Sequence, residues 1–265
     1  MADMPGKGAM YGLLIERLFM DRWRKGQKTV EFQRTDIELA ASALGVPLPK
    51  NLGDLIYSFR FRREMPAPIK ATAPEGHEWS LELNGASNYR FSLVRQSRVR
   101  PNPMLEIIEI PDATPDIVLR HAQTDEQALL AKLRYNRLID IFLGITSYSL
   151  QNHLRTSIKA DKGRTQIEID ELYVGVDIDG RQFVVPVQAK TGSDQIGIVQ
   201  AQQDLRLCQE RFPALLCRPV AAQFLNAGGI ALFELVLQQD QLRVKQERHY
   251  QLVRRGAVSD HPAAR

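Results

Sequence analysis

Residues 166–190 decide the fold: they read QIEIDELYVG (166–175), VDIDG (176–180) and RQFVVPVQAK (181–190). Apolar residues alternate with polar ones before and after the central turn, which predicts two strands in a hairpin. The second strand has one wholly apolar face, and its opposite face ends in Gln188 and Lys190. Glu168 and Asp170 share a face of the first strand. The hairpin can therefore gather two acids, an amide and an ammonium on one side.

The length of the turn decides whether those four side chains meet. Directly opposed residues share a face, so the numbers of an opposed pair must sum to an even value if Asp170 and Gln188 are to lie together. A two-residue Asp179-Gly180 turn gives an odd sum. We therefore predict an odd-length loop, such as one that also includes Arg181, or a β-bulge nearby. Pro186 lacks an N–H, which argues against a fully central position for the second strand.

This hairpin resembles the core of the PD-(D/E)xK nuclease superfamily, in the variant that carries Gln-x-Lys. The resemblance covers about residues 124–225 and implies a restriction-endonuclease-like α/β fold, a mixed sheet flanked by helices. It also implies an Mg²⁺-dependent endonuclease that hydrolyses DNA phosphodiester bonds, such as a restriction or defence enzyme. Asp170, Gln188 and Glu168 would hold Mg²⁺, for which Mn²⁺ can substitute. Lys190 would orient or deprotonate the attacking water.

Gln188 is the weak member of this set, because its oxygen can coordinate a hard cation but brings no charge. The negative charge that holds the metal must then come from Asp170, from Glu168, or from a further acid. The superfamily often draws such an acid from the helix that precedes its strands. Asp140 is our preferred candidate, and Glu171 is the second, although alternation places Glu171 on the opposite face.

The first 100 residues predict a separate domain of three helices followed by a hairpin. Thr35 and Asn51 are suited to cap the second and third helices, and Asn84-Gly85 is suited to the hairpin turn. This is the element order of a winged helix-turn-helix, and also of small helical domains that never touch nucleic acid. The predicted elements are helices 11–24, 36–44 and 52–62 and strands 78–83 and 89–94.

Charge favours a polyanionic partner for this domain. Residues 1–105 carry 16 Lys/Arg and 11 Asp/Glu, whereas residues 106–265 carry 19 and 20. Side chains that can contact DNA flank the predicted third helix or lie on a later helix near the predicted site. They are Lys50, Arg60, Arg62 and Arg63, with Gln200 and Gln203 on the later helix.

Proline-rich residues 101–120 predict a linker between a winged-helix-like domain, 1–100, and a nuclease-like domain, 121–255. A flexible tail would follow at 256–265. In the second domain the spacing of apolar residues predicts one long helix from Asp125 to Leu143, with Thr124 at its start. The later predicted elements are a helix at 194–210 and strands at 218–224, 230–237 and 241–244.

Composition excludes several other classes. No stretch approaches 18 consecutive apolar residues and the N-terminus lacks an apolar signal region, so we expect a cytoplasmic protein without a membrane span. Cys208 and Cys217 lack the spacing of a metal site, which favours reduced, packed thiols. A homodimer would suit double-strand cleavage, although no residue pattern indicates one.

Two alternatives to the nuclease remain open at this point. The first is a DNA-binding or assembly protein on a nuclease fold that has lost activity. The second is a winged-helix transcriptional regulator whose C-terminal half binds a ligand or dimerises. The recognised sequence, and the choice between DNA and RNA, are not encoded in any pattern that we can interpret.

Overall fold

The chain folds into two units. The computed structural model describes residues 6–95, 98–121, 125–191, 194, 196–225, 228–238 and 241–254. The first unit comprises Met1–Arg98, Thr156–Ile167 and Gly197–Val199, and the second comprises Val99–Arg155, Glu168–Ile196 and Gln200–Arg265. Together the elements form a mixed α/β protein with a large mixed sheet flanked by helices.

The first unit packs helices on a three-stranded antiparallel sheet of order β1-β3-β2. Strand β1 was not predicted, because only two of its five residues are buried and it joins α2 directly. Phe19 packs edge-on against Trp79 and Phe91 in the core. The elements are α1 (Lys7–Met20), β1 (Thr29–Gln33), α2 (Arg34–Leu44), α3 (Leu52–Tyr57), a π-helix (Ser58–Arg62), α4 (Ala67–Ala71), β2 (Glu78–Leu83) and β3 (Asn88–Val94).

Of the two predicted helix caps, one is confirmed and the other is wrong. Asn51 caps α3 as predicted, since its side chain accepts a hydrogen bond from the Asp54 N–H. The prediction for Thr35 was wrong. Gln33 occupies the N-cap position of α2, and its N–H donates to the Asp36 carboxylate in a capping box.

The backbone of Gly85 closely approaches that of Lys162. It lies in the β2–β3 turn with φ +107°, and its N–H donates to Thr165 Oγ1 at 2.7 Å. A Cβ built on Gly85 would lie 2.0 Å from the Lys162 carbonyl oxygen. The predicted Asn84-Gly85 turn therefore needs glycine for two reasons, the positive φ of the turn and the close approach of the Lys162 backbone.

The second unit contains an eight-stranded mixed sheet of order β5-β13-β12-β11-β8-β7-β6, in which β10 also pairs with β8. Strand β8 pairs in parallel with β10 and β11, and antiparallel with β7. The strands are β5 (Ile107–Pro111), β6 (Thr146–Ala160), β7 (Gly163–Val176), β8 (Gln182–Lys190), β10 (Leu216–Cys217), β11 (Val220–Phe224), β12 (Ile230–Gln238) and β13 (Gln241–Val253). Two short strands, β4 (Arg98–Val99) and β9 (Ile196–Gly197), complete the set.

Helices cover both faces of this sheet. Helices α6 and α7 pack on the apolar face of β8 predicted from the sequence, in a cluster with Phe183, Val185, Val187 and Ala189. Helix α8 lies against the opposite face, where it contacts Gln188. The helices of this unit are α5 (Asp116–His121), α6 (Glu126–Tyr135), α7 (Leu138–Leu143) and α8 (Ile198–Arg211).

The single long helix predicted from Asp125 to Leu143 is wrong. It breaks at Asn136 and Arg137, where Arg137 adopts φ +48° and the Asn136 amide bonds to Thr114 Oγ1. Helical periodicity continues across the break because both segments face the same core. Asp125 caps α6 by accepting from the Ala128 N–H, and the predicted Thr124 lies outside the described residues.

Two further segments differ from the sequence analysis. Residues 101–120 contribute β5, which pairs in parallel with the end of β13, and α5. Strand β6 was missed because most of its side chains are exposed and polar, so it has no apolar alternation. The tail predicted at 256–265 lies outside the described residues.

Candidate active site

The register of the β7–β8 hairpin confirms the predicted parity. Glu171 is paired with Val187, and Gly175 with Phe183, so the paired numbers sum to an even value. The loop between Val176 and Gln182 has an odd length of five residues, 177–181. Odd-length closure puts even-numbered residues of both strands on one face.

Pro186 lies in a central strand, contrary to the inference drawn from its missing N–H. The Val184 carbonyl accepts from Arg218 N, so even-numbered peptide groups of β8 point toward β10 and β11. On that side, β10 pairs with Phe183 and Val184, and β11 pairs with the residues from Val187 to Lys190. Pro186 therefore faces the interruption between β10 and β11, where its strand can dispense with a donor.

Near the site, hydrogen bonds that involve side chains take the place of the main-chain hydrogen bonds between β7 and β8. Regular pairing runs from Val176 and Gln182 to Glu171 and Val187. Beyond it, the Ala189 N–H donates to Asp170 Oδ2 at 2.8 Å, and Gln188 Nε2 donates to the Glu168 carbonyl at 3.0 Å. The Asp170 carboxylate is thus fixed in position by a main-chain donor of the neighbouring strand.

Lys190 places a buried ammonium between two carboxylates. Its Nζ lies 3.7 Å from Asp170 Oδ2 and 3.2 Å from Glu126 Oε1. Burial raises the pKa of Asp170 despite the opposing charge of Lys190. Burial likewise raises the pKa of Glu126, again against Lys190. Both acids are therefore better proton acceptors, once ionised, than their exposed counterparts.

Glu126, and not Asp140, is the acid of the segment before the hairpin that contacts Lys190. Asp140 instead accepts hydrogen bonds from the Ser147 N–H and hydroxyl and pairs with Arg137, so it secures the turn after α7. Glu126 stands in the first turn of α6, the helix that was predicted to precede the hairpin. Because the predicted single helix is in fact two, its apolar spacing did not show which of its acids would reach the strands.

Glu171 lies on the opposite face, as alternation predicted. It is fully buried, and its carboxylate accepts from Arg134 Nε at 2.9 Å and from Ser149 Oγ at 2.6 Å. A buried carboxylate with these donors is compensated by its own partners. Glu171 therefore ties α6 to the sheet and does not join Asp170.

Gln188 connects the hairpin to α8. Its Nε2 donates to Asp204 Oδ2 at 2.8 Å, and its Oε1 accepts from Gln200 Nε2 at 2.5 Å. Asp204 is buried, and its second oxygen, Oδ1, has no hydrogen-bond partner among the described residues. Burial raises the pKa of Asp204 well above the usual range for an aspartate. Gln188, which carries no charge, is thus in contact with an acid of α8.

The donor set suits a hard divalent cation. Asp170, Glu126, Glu168 and Asp204 offer carboxylate oxygens and Gln188 an amide oxygen, the ligand types that Mg²⁺ prefers. Asp204 would serve as a ligand only once it is ionised; its Oδ1, which has no partner among the described residues, is then an available acceptor. As arranged, no three His, Cys, Asp or Glu side chains of the described residues converge on one point; Lys190 stands between two of the acids.

The buried Asp204 predicts how stability depends on pH. Because its folded pKa is raised, the folded state holds a proton that the unfolded state has lost, and stability falls as pH rises from the usual aspartate pKa to the raised one. Each pKa unit by which the folded value exceeds the unfolded value corresponds to about 1.4 kcal/mol in the free energy of unfolding. We expect Asp204→Asn to be the more stable protein at about pH 8, by at least about 1 kcal/mol, with the difference vanishing near pH 4.

Urea unfolding followed by circular dichroism across this pH range measures the difference. Asp179→Asn is the matched control, because Asp179 is an exposed aspartate in the β7–β8 turn. Equal pH profiles for wild type and Asp204→Asn would show that Asp204 is not a buried, raised-pKa acid.

The residues proposed to contact DNA are only partly available. Lys50, Arg62 and Arg63 are exposed, and Arg60 is half-buried with its guanidinium over the Phe61 ring at 4.6 Å. Phe59 and Phe61 are themselves buried. In the second unit, Gln200 bonds to Gln188, and Gln203 is buried, which leaves little of its side chain for a surface contact.

Comparison of the chain with protein-family models, curated proteins and solved structures yields no match. Among the described residues, no helix is both long and apolar enough to cross a membrane. Cys208 is buried and Cys217 half-buried, and both are free thiols.

Proposed function

We propose that this protein is an Mg²⁺-dependent endodeoxyribonuclease with a PD-(D/E)xK site of the Gln-x-Lys type. The observation that carries the proposal is the position of Lys190, whose ammonium lies between Asp170 and Glu126 at the end of a central strand. Gln188, two residues earlier, lies beside Asp204 and Gln200 on the same face. A structural ion pair would need only one of these acids, whereas Lys190 lies between two of them at the end of the strand that also carries Gln188.

Hydrolysis of a phosphodiester needs an activated water and stabilisation of charge on the phosphoryl oxygens. Bound by the oxygens of Asp170, Glu168 and Gln188, Mg²⁺ would supply charge that polarises the phosphoryl group and acidifies nearby water. Lys190 orients the attacking water and donates to a phosphoryl oxygen as negative charge develops. Glu126, whose pKa is raised by burial, is suited to accept the proton of that water.

The first unit would bind the DNA. In support, its elements follow the order helix, strand, helix, helix, strand, strand when the π-helix and the short α4 that follow α3 are set aside, and β3 lies between β1 and β2 in its sheet. That is the arrangement expected of a winged helix, and Lys50, Arg62 and Arg63 supply exposed cations around its third helix. Phosphate contacts need such flexible cations.

A non-catalytic DNA-binding role on the same fold is the second candidate. It is favoured by the state of Gln188, whose amide nitrogen and oxygen both bond to protein groups. An uncharged residue that is engaged in this way weakens the site as a metal ligand. Cleavage separates the two candidates directly.

The test is incubation of the purified protein with supercoiled plasmid and Mg²⁺ or Mn²⁺. We expect nicking or linearisation that chelation by EDTA abolishes. Asp170→Asn should lower the rate by about 100-fold or more, because it removes a charge aimed at the reacting centre while keeping an acceptor for the Ala189 N–H. Asp179→Asn, at the far end of the same hairpin, should cleave like wild type. An inactive wild type, or full activity in Asp170→Asn, would rule out catalysis at this site.

A further inference from the structure

Among the described residues, the side chains of the site differ in exposure. Gln188, Lys190 and Asp204 are buried against α8 and the sheet. By contrast, 40% of the Glu168 side chain and 35% of the Glu126 side chain are exposed. We call the surface formed by Glu168 and Glu126 the opening of the site.

A cationic side chain stands at this opening on β6. Arg155 Nε lies 3.2 Å from Glu168 Oε1, and 70% of the Arg155 side chain is exposed. His153 Nδ1 lies 3.5 Å from the same oxygen, and its Nε2 is 2.7 Å from Gln127 Nε2 on α6. Two residues of one strand thus converge on the outermost acid of the site.

Backbone geometry at this point is unusual. His153 has φ +46° within β6, a left-handed conformation that costs a non-glycine residue roughly 1–3 kcal/mol. Such strain often re-aims side chains near functional sites. Strand β6 is also the edge of the eight-stranded sheet, and residues 148–153 are exposed along it. The edge therefore offers an exposed surface of mixed polarity, and Arg155 lies beside it.

We propose that Arg155 receives the phosphodiester backbone of the nucleic acid at this opening, next to the scissile phosphate. A guanidinium binds phosphate with two parallel hydrogen bonds and keeps its charge at any relevant pH. Its pairing with the half-exposed Glu168 is weak enough to exchange for a phosphate, because solvent screens such pairs. The exchange would release Glu168 for its role in the site. This inference rests on the proposed function.

Metal-free DNA binding tests the contact without requiring activity. Fluorescence anisotropy of a labelled DNA duplex in EDTA gives the affinity at several salt concentrations. Arg155→Ala should weaken binding about fivefold to tenfold and reduce the slope of log K against log salt by about 0.9, the effect of one phosphate contact. Arg181→Ala is the matched control, since Arg181 is exposed and pairs with Asp177 at the far end of the hairpin. It should leave affinity and slope unchanged.

A double-mutant cycle separates a phosphate contact from a role in holding Glu168. Glu168→Gln removes the competing charge and should tighten metal-free binding. If Arg155 contacts phosphate, Arg155→Ala should still weaken binding in the Glu168→Gln background by at least as much. No loss in that background, or an unchanged salt slope, would overturn the inference.

The two proposals can fail independently. An inactive wild type whose Arg155→Ala variant still loses affinity and salt slope would reject catalysis and retain the backbone contact. A wild type that cleaves DNA, with an Arg155→Ala variant of unchanged affinity and slope, would reject the contact and retain catalysis.

Discussion

Replacement of Lys190 by methionine is expected to lower the rate of Mg²⁺-dependent DNA cleavage by roughly 10²–10⁴-fold. Methionine keeps most of the side-chain volume but removes the ammonium that lies between Asp170 and Glu126. Without that charge, water is no longer oriented at the site and a phosphoryl oxygen loses its donor. Initial rates of plasmid nicking at saturating Mg²⁺ measure the loss.

Lys245→Met is the control for this substitution. Lys245 also pairs with a carboxylate of the large sheet, Glu234, at 3.0 Å, but it lies on β13, which is separated from β7 and Asp170 by three intervening strands. Circular dichroism should show that both variants are folded. Equal nicking by Lys190→Met and wild type would mean that Lys190 serves only to neutralise buried acids.

Substitution of Gly85 by alanine is expected to destabilise the first unit by about 3 kcal/mol or more. A residue with a Cβ is strained at φ +107° by roughly 1–3 kcal/mol. The added Cβ would also lie 2.0 Å from the Lys162 carbonyl oxygen, so backbone must move, at a further cost of about 1–3 kcal/mol. Movement would strain or break the hydrogen bond from the Gly85 N–H to Thr165 as well.

Tryptophan fluorescence isolates this effect. Both tryptophans of the chain, Trp23 and Trp79, belong to the first unit, so urea unfolding followed by their emission reports on that unit. Gly45→Ala is the control, because Gly45 has φ +65° but nothing within 4 Å of its Cβ position. It should cost only about 1 kcal/mol. Similar losses in the two variants would exclude the backbone clash.

Local pattern was sufficient for the two strands of the hairpin. Alternation in 166–190 gave the two strands and the apolar face of the second, because the side-chain period of a strand is fixed at two. Asp170, Gln188 and Lys190 were singled out by the resemblance to a superfamily, and the odd length of the loop was predicted from the requirement that they meet. The same pattern correctly set Glu171 apart from them.

Partners that come from other elements could not be recognised in this way. Glu126 reaches Lys190 from the start of α6, which no local rule distinguishes from Asp140 on the same apparent helix. Gln200 was placed near the site from the sequence, but no local pattern showed that Asp204 of the same helix would be buried with an oxygen that has no partner among the described residues. Arg155 lies on an exposed strand that has no apolar alternation to reveal it.

The sequence by itself determined the two strands and which residues share a face within each, since these follow from alternation along adjacent residues. The resemblance to a known superfamily singled out the lysine, amide and aspartate. Tertiary structure alone decided the length of the loop that brings them to one face and which distant acids accompany them. Burial and pKa depend on what packs around a carboxylate, and packing joins Glu126, Asp204 and Lys190 across up to 78 residues of chain.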